Sequence, residues 1–344
     1  MKALFAHGAE DLRLSDCVAD PLGPTDVRIR MERGGICGSD LHYFNHGGFG
    51  TVRLKEPMVL GHEVAGRVAE LGADVTNLKV GDLVAVSPSR PCGGCVECHR
   101  GLPNECLNMR FYGSAMPYPH IQGAFREEIT VMASQCHVAN DLTPAEAAMA
   151  EPLSVALHAV RRAGNLMGAK VLVTGCGPIG LLAILAARRA GAAQIIAVDI
   201  TDTSLAMAAK VGADVTLNTM TNPDALADYA AGKGSLDVLF ECSGAAPALA
   251  GAIPALRPRG VIVQLGLSGD MPLPMMQITA KELELRGSFR FHEEFAVAVQ
   301  LMSAGLIDVK TLLTHTFPLT EFQTAFETAN DRTQAIKVQL SFGT

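Results

Sequence analysis

Residues 170–199 constrain the fold of this chain more than any other stretch. Val171-Leu172-Val173-Thr174 is a short apolar run, Gly175-Cys176-Gly177-Pro178-Ile179-Gly180 is a glycine turn, and residues 181–190 carry Leu, Ile and Ala without a breaker. A second apolar run, Gln194-Ile195-Ile196-Ala197-Val198, ends in Asp199, nineteen residues after Gly180. Strand, glycine turn, helix and strand in this order let backbone approach a pyrophosphate and turn the first helical amides toward it. A carboxylate about 20 residues further on stands where both adenosine ribose hydroxyls can donate to it. A tight structural turn would explain the glycines alone, but not Asp199 at that distance. No Arg or Lys follows Asp199 until Lys210, so a 2′-phosphate would meet an uncompensated carboxylate. NAD is the expected cofactor, with NADP the lesser possibility.

Further apolar runs near Val215, at Val238-Leu239-Phe240 and at Val261-Ile262-Val263 extend the pattern to about six parallel strands covered on both faces. The first 90 residues read differently. Short alternating runs such as Val27-Arg28-Ile29-Arg30-Met31, broken by glycine and proline, predict a mostly β domain. With 344 residues the chain exceeds the roughly 250–300 at which one core stops growing. The expected division is residues 1–150 with 288–344, the last part returning to the first domain as a helix and a strand, and 151–287 as the nucleotide domain. No long linker separates them, so the active site is expected in the cleft between the halves.

Glycines and a proline interrupt the longest apolar stretch, 171–187, so no membrane span is expected. Met1-Lys2-Ala3-Leu4-Phe5-Ala6-His7 lacks a secretion signal, and a cytoplasmic location follows. A formal net charge of −7 argues against nucleic acid or another polyanion as partner.

Two cysteine patterns point to metal. Cys37 precedes Gly38-Ser39-Asp40-Leu41-His42, and Gly61-His62-Glu63 follows at a second strand-to-loop junction. Thiolate, imidazole and carboxylate are the donors zinc takes where one coordination position stays open. Cys92, Cys95, Cys98 and Cys106 instead offer four thiolates for a closed tetrahedral shell, a structural zinc on a protruding lobe. Four free or disulfide-bonded cysteines are the competing reading. Cys17, Cys136, Cys176 and Cys242 are scattered singly and read as small apolar residues.

In order along the chain, Cys37-Gly38-Ser39-Asp40-Leu41-His42-Tyr43, Gly61-His62-Glu63, the four-cysteine lobe, Glu151-Pro152-Leu153-Ser154-Val155 and the nucleotide turn resemble the zinc-dependent medium-chain dehydrogenases, in their sorbitol dehydrogenase-like branch. The resemblance implies a GroES-like, mostly β catalytic domain beside a doubly wound Rossmann domain. It also implies Cys37, His62, Glu63 and Glu151 at a catalytic zinc, with no choice offered between the two carboxylates at rest. Ser39 and His42 match proton-relay positions, and Asp40 matches an acceptor that fixes His62. Gly175, Gly177, Pro178, Ile179, Gly180, Asp199, Ser204, Leu265, Leu267, Ser288 and Arg290 match the cofactor side.

Tyr43, Arg110, Phe111, Arg290 and Phe291 match the substrate side. The stretches Arg110-Phe111-Tyr112-Gly113-Ser114-Ala115-Met116, with His120 after it, and Arg286-Gly287-Ser288-Phe289-Arg290-Phe291 resemble a branch member acting on a hexonic acid, so a small sugar acid is the expected substrate. An arginine fork suits such a carboxylate. A polyol or threonine dehydrogenase, and a non-catalytic nucleotide-binding relative, are the alternatives. Ser204 stands where the family can carry a ribose-holding arginine, and Phe291 where it can carry a tyrosine. A homo-oligomer, dimer or tetramer, is the implied assembly.

Overall fold

Six strands form the parallel sheet: β1 (Lys170–Thr174), β2 (Gln194–Asp199), β3 (Val215–Asn218), β4 (Leu236–Glu241), β5 (Leu256–Gln264) and β6 (Glu284–Gly287). Their order is β3-β2-β1-β4-β5-β6, and every neighbouring pair is parallel. Leu172, Ile196, Leu239 and Ile262 are fully buried in it, because crossover helices cover both faces of a parallel sheet and leave no polar side. The helix Pro178–Arg189 starts on Gly177 with Pro178 at its first turn, where a missing N–H costs nothing, and buries Leu181, Leu182 and Ile184. Each such side chain contributes roughly 1.5–3 kcal/mol relative to exposure.

The chain runs from β1 outward to β2 on one side and re-enters at β4 on the other. The carboxyl ends of β1 and β4 therefore flank the crevice where open α/β sheets bind ligands. Gly180 marks how closely the turn is built, since a Cβ there would lie 1.8 Å from the Gly175 carbonyl oxygen.

The computed structural model describes residues 1–267 and 269–343. It divides into two units, Met1–Glu151 with Phe295–Asp331 and Lys337–Thr344, and Pro152–Glu294 with Arg332–Ile336. The first unit carries a seven-stranded sheet that includes Asp26–Gly35, Glu63–Leu71, Leu83–Val86 and the late strand Lys337–Ser341. Asp26–Gly35 buries Val27, Ile29 and Met31 and turns Arg28 and Arg30 away from the core, the alternation of a strand with one covered face. Lys337–Ser341 pairs antiparallel with the end of that strand, Gln339 opposite Gly35. Among the described residues no helix is long and apolar enough to cross a membrane.

Candidate active site and metal centres

Antiparallel register assembles the first metal centre. Gly35 lies opposite Glu63, so Cys37, just past one strand, meets His62, just before its neighbour. One donor atom each from Cys37, His62 and Glu63 falls within 4.8 Å of the others. Two glycines make room. A Cβ on Gly35 would lie 2.1 Å from Glu63 Oε2, and one on Gly61, whose φ is +92°, 2.1 Å from the Phe125 ring.

Cys37 caps the helix Gly38–His46, which sets the thiol at the positive end of the helix dipole. Asp40, fully buried, accepts hydrogen bonds from Cys37 N (3.0 Å) and Gly61 N (3.2 Å). Its Oδ1 is 3.9 Å from His62 Nδ1, too far for a hydrogen bond. The resemblance implied an acceptor that fixes His62, and Asp40 faces that ring while it holds the ligand-bearing loops through their two amides.

These residues fit a zinc ion. His62 Nδ1 is buried without a hydrogen-bond partner. Desolvation, and then the Glu63 carboxylate, push the Cys37 thiol up to about 12. Burial likewise raises Glu151 well above the ordinary carboxylate range, against the lowering effect of His62. A cation among these donors reverses that cost, and a sulfur, nitrogen and oxygen set suits zinc with an open position.

Of the four expected ligands, three converge. Glu151, 5% exposed at the start of the helix Ala150–Ala163, stays outside the 4.8 Å group but within electrostatic reach of it. One residue was not anticipated. Lys337, 2% exposed, donates from Nζ to Ile36 O at 3.0 Å and forms an ion pair with Glu63 Oε2. Its signal in the sequence is a lone charge in the run Ile336-Lys337-Val338-Gln339-Leu340, but nothing local ties it to a residue 301 positions upstream.

Ser39 is half-buried and His42 exposed, three residues apart on one face of their helix. The Phe111 ring lies 5.6 Å from the His62 ring, so it borders the cluster. Arg110 sits exposed opposite Arg90 in the two-stranded ribbon, directly before Phe111 in the chain. Tyr43 is 1% exposed with its hydroxyl accepting from Ala115 N at 2.9 Å, which ties it to the 111–121 loop. Phe291 is fully buried. Arg290 adopts φ +56°, rare for a non-glycine residue, and its guanidinium lies 4.8 Å from the Phe289 ring centre.

In the second centre, Cys92, Cys95, Cys98 and Cys106 bring their sulfurs within 4.8 Å of one another. Amides of Cys92 and Asn108 donate to Cys106 Sγ at 3.1 and 3.4 Å. The Asn108 side chain, with the Gly94 amide, holds the Cys92 thiol down at about 6, while desolvation and the Cys95 thiol push Cys98 up to about 12. The lobe's short helices, Val96–His99 and Pro103–Glu105, bury no residue, so their shape depends on those sulfurs.

On the nucleotide side, Gly175 has φ +83°, and a Cβ there would meet Ser243 Cα at 2.7 Å. Asp199 ends β2, accepting from Cys176 N at 2.6 Å through one oxygen and from Ile200 N and Thr201 N at 2.7 and 2.9 Å through the other. With the Thr201 hydroxyl also donating at 2.9 Å, Oδ1 accepts three bonds, while Oδ2 accepts only the bond that ties it to the glycine turn. Ser204 and Leu265 are buried, Leu267 is exposed, and the Ser288 hydroxyl is buried without a hydrogen-bond partner.

Residues 23–141 match the family model described as the alcohol dehydrogenase GroES-like domain, and residues 178–304 match the zinc-binding dehydrogenase model. An L-idonate 5-dehydrogenase (NAD(P)(+)) of Escherichia coli K12 is 44% identical over 91% of this chain and 91% of its own. Human sorbitol dehydrogenase is 37% identical over 95% of this chain and 92% of its own. The crystal structure of L-idonate 5-dehydrogenase from Escherichia coli K-12 superposes with a TM-score of 0.95 at 40% identity, covering 99% of this chain and 98% of that one. With both donor sets, the six-stranded sheet and this likeness along its length, the chain belongs to the zinc-dependent medium-chain family of alcohol and polyol dehydrogenases.

Proposed function

We propose that this enzyme oxidises the C5 hydroxyl of L-idonate to 5-keto-D-gluconate with transfer of hydride to NAD(P)+, NAD being preferred. The observation that carries the reading is the convergence of Cys37, His62 and Glu63 in a chain 44% identical to an L-idonate 5-dehydrogenase. Bound at these sites, zinc supplies the positive charge that acidifies an alcohol, and the nicotinamide supplies a hydride acceptor.

The chain's own residues do the rest. Asp40 holds the two ligand loops in register, and Lys337 steadies Glu63. Ser39 and His42, one helical turn apart, take the alcohol proton from the site and release it at the exposed imidazole. Phe111 supplies an apolar wall beside His62. Asp199 receives the ribose hydroxyls and disfavours a 2′-phosphate. Arg290 and Arg110 are the residues assigned to the substrate carboxylate.

Initial rates with L-idonate, sorbitol, xylitol and L-threonine, each with NAD+ and NADP+, test the proposal. L-idonate with NAD+ should give the highest kcat/KM. Preference for an uncharged polyol would transfer the assignment to the polyol branch. Less than one zinc per chain after gentle purification, with no turnover of any substrate, would favour a non-catalytic relative.

A further inference from the structure

Glu241 ends β4 at the crevice and is fully buried, and among the described residues only neutral groups bind its carboxylate. Oε1 accepts from Ser243 N (2.9 Å), Gly244 N (3.2 Å), Thr174 Oγ1 (3.4 Å) and the Ser243 hydroxyl. Oε2 accepts from Gly244 N (3.0 Å) and Gln264 Nε2 (2.6 Å). These donors lie at the carboxyl ends of three adjacent strands: Thr174 on β1, Ser243 and Gly244 just past β4, and Gln264 on β5. The backbone carbonyl of Glu241 also accepts from Leu265 N and Gly266 N, both at 2.9 Å.

The turns so joined are packed to contact. A Cβ on Gly175 would meet Ser243 Cα at 2.7 Å, and one on Gly266 would meet Gly244 N at 2.1 Å and Glu241 Oε2 at 2.8 Å. Gly175 opens the pyrophosphate turn, so its placement is set by the loop that Glu241 gathers. A carboxylate suits this task because its two oxygens accept several donors at once and offer none. A buried carboxylate needs several donors to offset its lost hydration, and here they come from three strand ends beside the crevice.

We propose that Glu241 is a positioning residue for the dinucleotide: it does not touch the cofactor but fixes the three turns against which the cofactor lies. The inference rests on the dehydrogenase reading above. It names a part of the nucleotide site that the glycine turn and Asp199 leave out.

Glu241→Gln puts an amide donor against Gln264 Nε2 or Gly244 N, so the turns lose register while the metal centres are untouched. The chain has no tryptophan, so the emission of bound NADH can be excited directly and titrated. In the zinc-loaded enzyme, Glu241→Gln should weaken NADH binding and raise the KM for NAD+ by about tenfold, with zinc content and the KM for the alcohol substrate unchanged. Ser243→Ala removes a single donor and should weaken NADH binding by about threefold without moving the thermal midpoint appreciably. If Glu241→Gln fails to fold, Ser243→Ala decides the matter. Unchanged NADH affinity in the folded variants, or equal losses for nucleotide and alcohol, would overturn the inference. Failure of the unmodified enzyme to bind NADH would sink the dehydrogenase reading instead.

Discussion

Lys337 shows how one residue can bear on metal and fold together. Its ammonium is buried against Glu63 and the Ile36 carbonyl, so removing it strands a carboxylate and a carbonyl in the core. Breaking one partner of a buried pair costs about 3–5 kcal/mol. Lys337→Met should therefore destabilise the zinc-free protein by roughly that amount and the zinc-loaded protein by less, because the metal supplies the missing positive charge. Urea unfolding with and without zinc checks this. Equal losses in both forms would reduce Lys337 to packing. At the same scale, Arg290→Met should lower kcat/KM for L-idonate by about tenfold or more, one charge-assisted contact, with a smaller loss for sorbitol. Arg110→Met should likewise cost about tenfold or more on L-idonate and little on sorbitol. Equal losses on acid and polyol from Arg110→Met would assign it to the ribbon alone.

Among the elements, the four-cysteine lobe depends most on a ligand. Val96–His99 and Pro103–Glu105 bury nothing, so Cys106→Ser or zinc removal should expose residues 92–106 to proteolysis while sheet circular dichroism is kept. Cleavage confined to that stretch is the expected pattern. The segment 292–294 carries an acid-sensitive tie. Against the opposing effect of desolvation, His158 and the His292 amide hold Glu294 down at about 2, and Arg161 lies 3.0 Å from it. A carboxylate lowered from 4.5 adds stability that is complete above that value and lost as pH falls toward about 2. Glu294→Gln should flatten this part of the acid limb, which urea midpoints between pH 5 and about 2 would show. Identical pH slopes in both proteins would refute the tie. The element pattern was largely legible beforehand. Continuous apolar runs announced the parallel strands, and alternating ones such as 27–31 announced a strand covered on one side. Legibility ended at residues whose partners lie across the sheet. Lys337 is one, since it meets the Ile36 carbonyl and the Glu63 carboxylate far upstream in the chain.

For the whole molecule, the late strand Lys337–Ser341 completes the sheet begun by Asp26–Gly35. Gln339→Pro would remove a backbone donor and force a ring into a paired strand. It should lower stability by about 3 kcal/mol or more and release zinc from the Cys37 centre, measurable by metal content after dialysis. Retention of a full zinc complement would show that the centre holds without its closing strand.

By itself the sequence determined what depends on neighbours along the chain: strand and helix periods, the glycine turn with Asp199, and two donor sets recognisable by residue type and spacing. Only the tertiary structure decided that Asp40 ties both ligand-bearing loops through their amides, that Lys337 is buried against Glu63, and that Glu241 gathers donors from three strand ends. Those facts arise from register between strands far apart in sequence and from desolvation of charges. Neither is encoded in any local window, because burial and cross-strand pairing come into being only when the chain has closed on itself.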